Sequence, residues 1–327
     1  MRICALGAYG RRHGWPGFSW DGQFRAWKDL GHDVMHVDIR SEGKDYEDLR
    51  DRLLAFEPEL VWIDLKDGLP FLIRLVDDIG KRDFRVLYWL RDLRAPEGTS
   101  SPVPVKPPKV KLEKIRGLID YLCLVAGGKL LLQHQRMYEV PRVCFMAQFC
   151  VPPVIYRRDV PQVHDIVFTG GMDLSIWHRG RTKLIRRMCD HYSVKVRNNA
   201  IKDLSEFNSS GKIVFGADVV GEKPEFQPLY YTSQRFWQAL SCGSCYVCQW
   251  FPGIERLARN HEHLVWWKDE RELYEVLDYY LAHDEERERI GRNAQVFACD
   301  KHTHIKRIQN IFDFMEDENV GFQGFID

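Results

Sequence analysis

The chain alternates between short apolar runs and amphipathic stretches. "RICALG" near the start is an apolar run that ends in glycine, and "VMHVDI", "LVWIDL" and "RVLYWLRD" repeat that pattern downstream. Runs of this length, bounded by polar or turn residues, predict buried strands. Between them lie segments with helical spacing. In "SWDGQFRAWKDLGHDV" Phe24, Trp27 and Leu30 recur on one face, and Gly31 supplies a stop. "YEDLRDRLLAFEPE" predicts a second helix, ended by Pro58, and "LPFLIRLVDDIGKR" a third. Apolar strands alternating with helices predict a parallel sheet covered on both faces.

The alternation breaks at "APEGTSSPVPVKPPKVK", residues 95–111, which predicts a long loop. It resumes with "GLIDYLCLVAG", a helix around 128–138 and "RVCFMAQF". "CVPPVIYRRDVPQ", 150–162, carries three prolines and predicts an interdomain linker. A second series follows. Strands are expected at "HDIVFTGG", "SVKVRN", "KIVFGAD", "SCYVCQW" and "EHLVWW", and helices at "RTKLIRRMCDH", "TSQRFWQALSCG" and "PGIERLARN". Two closing helices are expected, "ERELYEVLDYYLAHDEERERIGRN" and "THIKRIQNIFDFM". The expectation is an α/β chain of two Rossmann-like domains, 1–155 and 156–327, facing across a cleft, with the last helix packing back on the N-terminal domain. The carboxyl-end loops of both sheets would meet at that cleft, where a ligand is expected.

Composition narrows the classes. Lys+Arg and Asp+Glu both total 47 in 327 residues, so the net charge of zero argues against a generic polyanion binder. Nine cysteines without pattern, and no signal peptide, point to a reducing cytoplasm. The apolar runs are too short to span a bilayer. "LSCGSCYVCQW" raises a metal question, with Cys242, Cys245 and Cys248 spaced Cys-x-x-Cys-x-x-Cys. A ferredoxin-type run needs a fourth cysteine after three intervening residues, where Pro252 stands. Zinc needs a second pair, and the other cysteines are scattered singly. The reading is a helix ending at Gly243 and a buried strand with cysteines as small apolar residues. "NHEHL" and "KHTHI" lack the HExxH spacing and read as polar turns. No metal site is expected, and neither GxGxxG nor a Walker motif is present.

Two stretches suit phosphate. In "TGGMDLSIWHRGRTK" Gly170 and Gly171 follow a strand and a helix opens near Arg181, with Arg179 and Lys183 adding charge. Glycines admit close approach and a helix N-terminus favours anions; an ordinary tight turn before a solvated basic helix would show the same pattern. In "YYTSQRFWQALSCGSCYVCQWFPGIERL" a helix with Ser233 or Thr232 as N-cap carries Arg235 and Gln238, then come Gly243, a strand, Gly253 and Glu255. This stretch resembles the donor segment of GT-B glycosyltransferases of the group 1 type, particularly the spore-maturation CgeB-like group. There Arg-x-x-Glu-x-x-x-x-Gly precedes an apolar strand, a glycine and an acid. "LVWWKDERELYEVLDYYLAHDEERERIGRNA" and "HTHIKR" resemble that family's closing helices, so the likeness spans roughly 164–315.

The resemblance implies a GT-B fold and metal-independent transfer of a sugar from a nucleotide diphosphate, a UDP-sugar first, to an acceptor hydroxyl. The nucleotide sugar is a co-substrate and no other cofactor is implied. Arg235 and Arg181 would hold the diphosphate, with Gly170 and Gly171 facing it. Gln238 and Glu255 would meet ribose or sugar hydroxyls, with Ser233 and Gly253 in the same donor site. Many retaining members carry two glutamates with seven residues between them. Tyr230 and Gln238 stand at those positions here, so the stereochemical outcome does not follow from the motif. The base is expected from the N-terminal half: Asp92 after "VLYWL", His13 in the first glycine-rich loop, or Asp21 near a helix start. Each alone is more often a cap or an ion-pair partner.

Residues 1–150 hold 24 lysines and arginines against 21 acids. Lys106, Lys109, Lys111, Lys114 and Arg116 cluster in the basic loop 104–116. That loop suggests an anionic acceptor, with DNA bearing a hydroxymethylated pyrimidine as the first candidate, read by backbone contacts and base flipping. A solvated lysine-rich loop is the plain alternative, and a glycan, metabolite or protein side chain are other acceptors. Two other function classes fit the scaffold: a nucleotide-sugar epimerase and a non-catalytic nucleic-acid-binding protein.

Overall fold

A computed structural model describes residues 1–7, 18–39, 45–64, 68–91, 112–172, 179–197, 203–217 and 228–326. The chain divides into two compact units, one of residues 1–147 with 307–323 and the other of 148–306 with 324–327.

In the first unit the apolar runs form β1 (Arg2–Gly7), β2 (Asp33–Asp38), β3 (Leu60–Ile63), β4 (Arg85–Leu90), β5 (Tyr121–Leu124) and β6 (Arg142–Phe145). They make one parallel sheet in the order β2-β1-β3-β4-β5-β6. Helices α1 (Phe18–Asp29), α2 (Tyr46–Phe56), α3 (Leu69–Ile79) and α4 (Gly128–Tyr138) connect its strands. The end of α2 shows how sequence punctuates structure. Pro58 disfavours helix in the residue before it, and Glu57 turns left-handed at φ 49° with its N–H on Leu54 O. The core is aromatic: Trp27, Trp62 and Trp89 are fully buried. Trp62 meets Trp27 and Trp89 edge to face, at centroid distances of 5.1 and 6.0 Å.

The second unit holds β7 (His164–Thr169), β8 (Val194–Arg197), β9 (Gly211–Gly216), β10 (Cys245–Gln249) and β11 (Val265–Trp267), a parallel sheet ordered β11-β10-β9-β7-β8. Its helices are α5 (Arg179–Met188), α6 (Leu204–Ser209), α7 (Gln234–Ser241), α8 (Ile254–Leu257), α9 (Glu270–Ala282) and α10 (Asp284–Lys301). The final helix, α11 (His304–Glu316), continues into the first unit, where Phe312 meets Trp62 and Phe314 meets Tyr121 edge to face.

Two details differ from the sequence reading. Helix α6 forms where no element was expected, started by Asp203, whose carboxylate accepts from Glu206 N at 2.8 Å. The expected single helix over 270–293 is two helices. It breaks at His283 (φ −117°, ψ 76°), and Asp284, Glu285 and Glu286 open the next, where acids suit a helix N-terminus. Cys242, Cys245 and Cys248 are buried at the end of α7 and in β10. Burial pushes the thiols of Cys242 and Cys245 up to about 12.

Candidate functional site

In the second sheet the order of strands reverses between β7 and β9, and in sheets of this kind ligands bind outside the carboxyl ends at such a reversal. Gly170 follows β7 there, its N–H on Arg197 O at 2.9 Å. A Cβ on Gly170 would lie 2.8 Å from the Phe168 ring and 3.0 Å from Arg235 Nη2. The glycine is therefore what lets the Arg235 guanidinium lie against the strand exit. Arg235 reaches that point from the first turn of α7.

Arg181 comes from α5 to the same place. Its Nε and Nη2 donate to Gly171 O at 3.1 and 2.9 Å, and Nη1 donates to Ala217 O at 3.5 Å. It thus ties the exits of β7 and β9 together. Both guanidiniums lie over Phe168, Arg235 at 5.0 Å and Arg181 at 5.5 Å from the ring centroid. Two cations against one aromatic ring, at the carboxyl edge where α7 begins, make a positive environment suited to an anion. Ser233 is the N-cap residue of α7 without a side-chain capping bond, and Gln238 is buried one turn further on.

The exit of β10 carries a second group. Pro252 O accepts from Tyr230 N at 2.9 Å. Gly253 starts α8 at φ 84°, and a Cβ there would lie 2.2 Å from the Tyr230 ring. Only glycine fits both demands. Arg256 donates to the Tyr230 hydroxyl at 3.0 Å, and Phe325 from the chain end packs on the same ring at 4.9 Å. Glu255 is exposed and accepts from Trp250 Nε1 at 2.5 Å. The structure therefore brings Gly170, Gly171, Arg181 and Arg235 together, sets Ser233 and Gln238 on the helix that carries Arg235, and places Gly253 and Glu255 on the β10 exit.

In the first unit, His13 and Asp92 lie outside the described residues, and Asp21 is half-buried in the first turn of α1. The sequence reading missed a buried polar cluster at this sheet's own carboxyl edge. Asp64 follows β3 and Arg91 follows β4. The Arg91 guanidinium donates to both carboxylate oxygens of Asp64, and Gln23 Nε2 of α1 donates to Oδ2 at 2.9 Å. Asp64 is fully buried as a side chain and Arg91 is 11% exposed. Removing one partner of such a pair costs about 3–5 kcal/mol. The available signal was an aspartate closing the apolar run "LVWID". Of the basic loop, Lys106, Lys109 and Lys111 lie outside the described residues. Lys114 pairs with Asp77 at 2.7 Å and Arg116 with Glu139 at 3.1 Å. Among the described residues no group of three or more His, Cys, Asp or Glu is placed to hold a metal ion, and no helix is long and apolar enough to cross a membrane.

Residues 166–313 match a family model described as glycosyl transferase-like. No curated protein matches the chain. Solved structures do. HepE of Anabaena, in complex with UDP and glucose, is similar over 97% of this chain and 100% of its own, at 12% identity and TM-score 0.61. Sucrose-phosphate synthase from Thermosynechococcus elongatus is similar over 96% and 98%, at 10% identity and TM-score 0.68. An alpha-glucosyltransferase in complex with UDP and a 13-mer DNA containing a HMU base is similar over 97% and 100%, at 13% identity and TM-score 0.64. These likenesses establish the fold, two parallel-sheet α/β units of the GT-B kind.

Proposed function

For a chain of GT-B fold whose residues 166–313 match a glycosyl transferase-like family model, we propose transfer of a sugar from a nucleotide diphosphate to an acceptor hydroxyl. Within that family we read it as CgeB-like, on Arg235, Gly243, Gly253 and Glu255. The observation that carries the proposal is the pair of guanidiniums over Phe168 beside Gly170, at the strand-order reversal of the matching domain. As the donor's bond to the anomeric carbon breaks, negative charge builds on the diphosphate. Fixed cations and helix N–H groups stabilise that charge without reorganising. Arg235 is assigned the diphosphate directly. Arg181 holds Gly171 and Ala217 in place and adds its charge. Gln238 and Glu255 are assigned donor hydroxyls, and Ser233, Gly170, Gly171 and Gly253 line the donor site. No metal or other cofactor takes part in this reading.

The donor is proposed to be a UDP-sugar, which three UDP-bound structures of similar fold support. For the acceptor, a hydroxymethylated pyrimidine in DNA is proposed first. The supports are the DNA-bound alpha-glucosyltransferase and the excess of basic residues in the N-terminal half. Asp92 is the first candidate base, followed by His13 and Asp21, and a cytoplasmic location is proposed from nine cysteines without a paired spacing. Titration calorimetry with UDP and UDP-glucose tests the donor site. Arg235→Ala should keep the wild-type circular dichroism and melting curve and lose UDP affinity on the order of a hundredfold, as removal of a charged partner from an anion costs about 2–5 kcal/mol. Wild-type affinity in that variant would place the diphosphate elsewhere. Mass spectrometry of hydroxymethyluracil DNA after incubation with UDP-glucose tests the acceptor, with a hexose increment expected.

A further inference from the structure

Glu255 is an exposed carboxylate whose hydrogen-bond partner is a neutral indole, Trp250 Nε1 at 2.5 Å. Among the described residues no cation pairs with Glu255. Arg256, its neighbour in sequence, donates instead to the Tyr230 hydroxyl and lies over the Phe325 ring at 4.0 Å. A neutral donor fixes a carboxylate in direction without cancelling its charge. A guanidinium would fix it equally well and neutralise it.

Trp250 is itself clamped. Its backbone N–H donates to Trp267 O at 2.7 Å, which joins the exit of β10 to the end of β11. Lys268 Nζ stands 6.0 Å from the centre of its ring, within reach of a cation–π contact. The turn from Trp250 to Glu255 is held as well, by Tyr230 N on Pro252 O and by the Tyr230 ring packed against Gly253. A long, exposed glutamate would ordinarily sample several rotamers, and ordering it on binding would cost affinity. Here the backbone is fixed on one side and the carboxylate on the other.

We propose that Trp250 is a positioning residue that presents the Glu255 carboxylate, still charged, to the hydroxyl groups of the donor sugar. The inference rests on the donor-site reading above and adds to it a residue that is not among the motif positions Arg235, Gly243, Gly253 and Glu255. One carboxylate oxygen takes the indole N–H, and the other is set to accept from sugar hydroxyls. Charge-assisted hydrogen bonds of this kind discriminate a ligand that carries hydroxyls from one that lacks them. The pair should therefore distinguish a nucleotide sugar from the bare nucleotide.

The experiment measures dissociation constants of UDP and of UDP-glucose for the full chain and for Trp250→Phe, Glu255→Gln and the double variant. Trp250→Phe keeps an aromatic ring and removes the donor. The expected result is a loss of about three- to tenfold for UDP-glucose with UDP affinity held within about twofold. Glu255→Gln should shift the ratio in the same direction, and the double variant should be no weaker than Glu255→Gln alone, because Trp250 acts through Glu255. A merely structural tryptophan would weaken both ligands together. An unchanged ratio in Trp250→Phe, or additive losses in the double variant, would overturn the inference while leaving the transferase reading intact. A wild-type chain that binds neither ligand would overturn both.

Discussion

Gly170 shows how much a single hydrogen in place of a methyl group decides. Its missing Cβ leaves the space that Arg235 Nη2 and the Phe168 ring occupy, at 3.0 and 2.8 Å from where the methyl would stand. Gly170→Ala should push the guanidinium off its ring and weaken UDP binding by about tenfold, with a small change in melting temperature because the site lies at the rim of the sheet. Calorimetry beside a melting curve checks both halves of that expectation. The glycine and the arginine were legible in the sequence because each sits in a short motif. The grouping of Asp64, Arg91 and Gln23 was not. Its members lie 27 and 41 residues apart and meet only once β3, β4 and α1 are packed, and no local spacing encodes such a meeting. Arg181 was legible as a cation beside a glycine turn. Its engagement with the carbonyls of Gly171 and Ala217 needed β9 in place.

Among the elements, strands were read well because parallel-sheet strands are apolar on both faces and stand out from their surroundings. Helix α6 was missed because six residues are too few for a periodic signal, and its Asp203 cap reads equally as a turn. The break at His283 was missed because both flanking helices continue the same charged pattern. The turn between α8 and β11 supports a pH prediction. His263 stacks on Phe297 at 4.1 Å, and its Nδ1 accepts from Arg259 N at 3.2 Å, a bond that only the neutral ring can accept. Burial holds its pKa below the ordinary 6.5, against the pull of Glu262. The unfolded chain therefore takes up this proton at higher pH than the folded one. The stabilisation is complete above 6.5 and falls away as pH drops through that value toward the lower folded pKa. Urea midpoints measured between about pH 7.5 and 5 should decline, and His263→Phe should remove its share of the slope.

At the scale of the whole molecule, the alternation of apolar runs with amphipathic segments was enough to read two parallel-sheet α/β units. The sequence reading also expected the last helix to pack back on the N-terminal domain, and residues 307–323 belong to the first unit. Ile308, Ile311, Phe312, Phe314 and Met315 are all buried, and Arg142 of β6 donates to the carbonyls of Phe314 and Met315. Each apolar side chain contributes about 1.5–3 kcal/mol of burial, so together they rival the whole stability of a domain. A chain ended at Lys306 should lose hydrogen-exchange protection in β1–β6 while β7, β9 and β10 keep theirs.

A consequence follows for the newborn polypeptide. The six strands of the first unit leave the ribosome without the helix that seals them, and they wait for residues 307–323. At about 5–20 residues per second that delay is on the order of ten seconds or more. The half translated second can settle before the half translated first, so the sequence of maturation inverts the sequence of synthesis. In that interval Trp62 and Tyr121 lack the rings of Phe312 and Phe314.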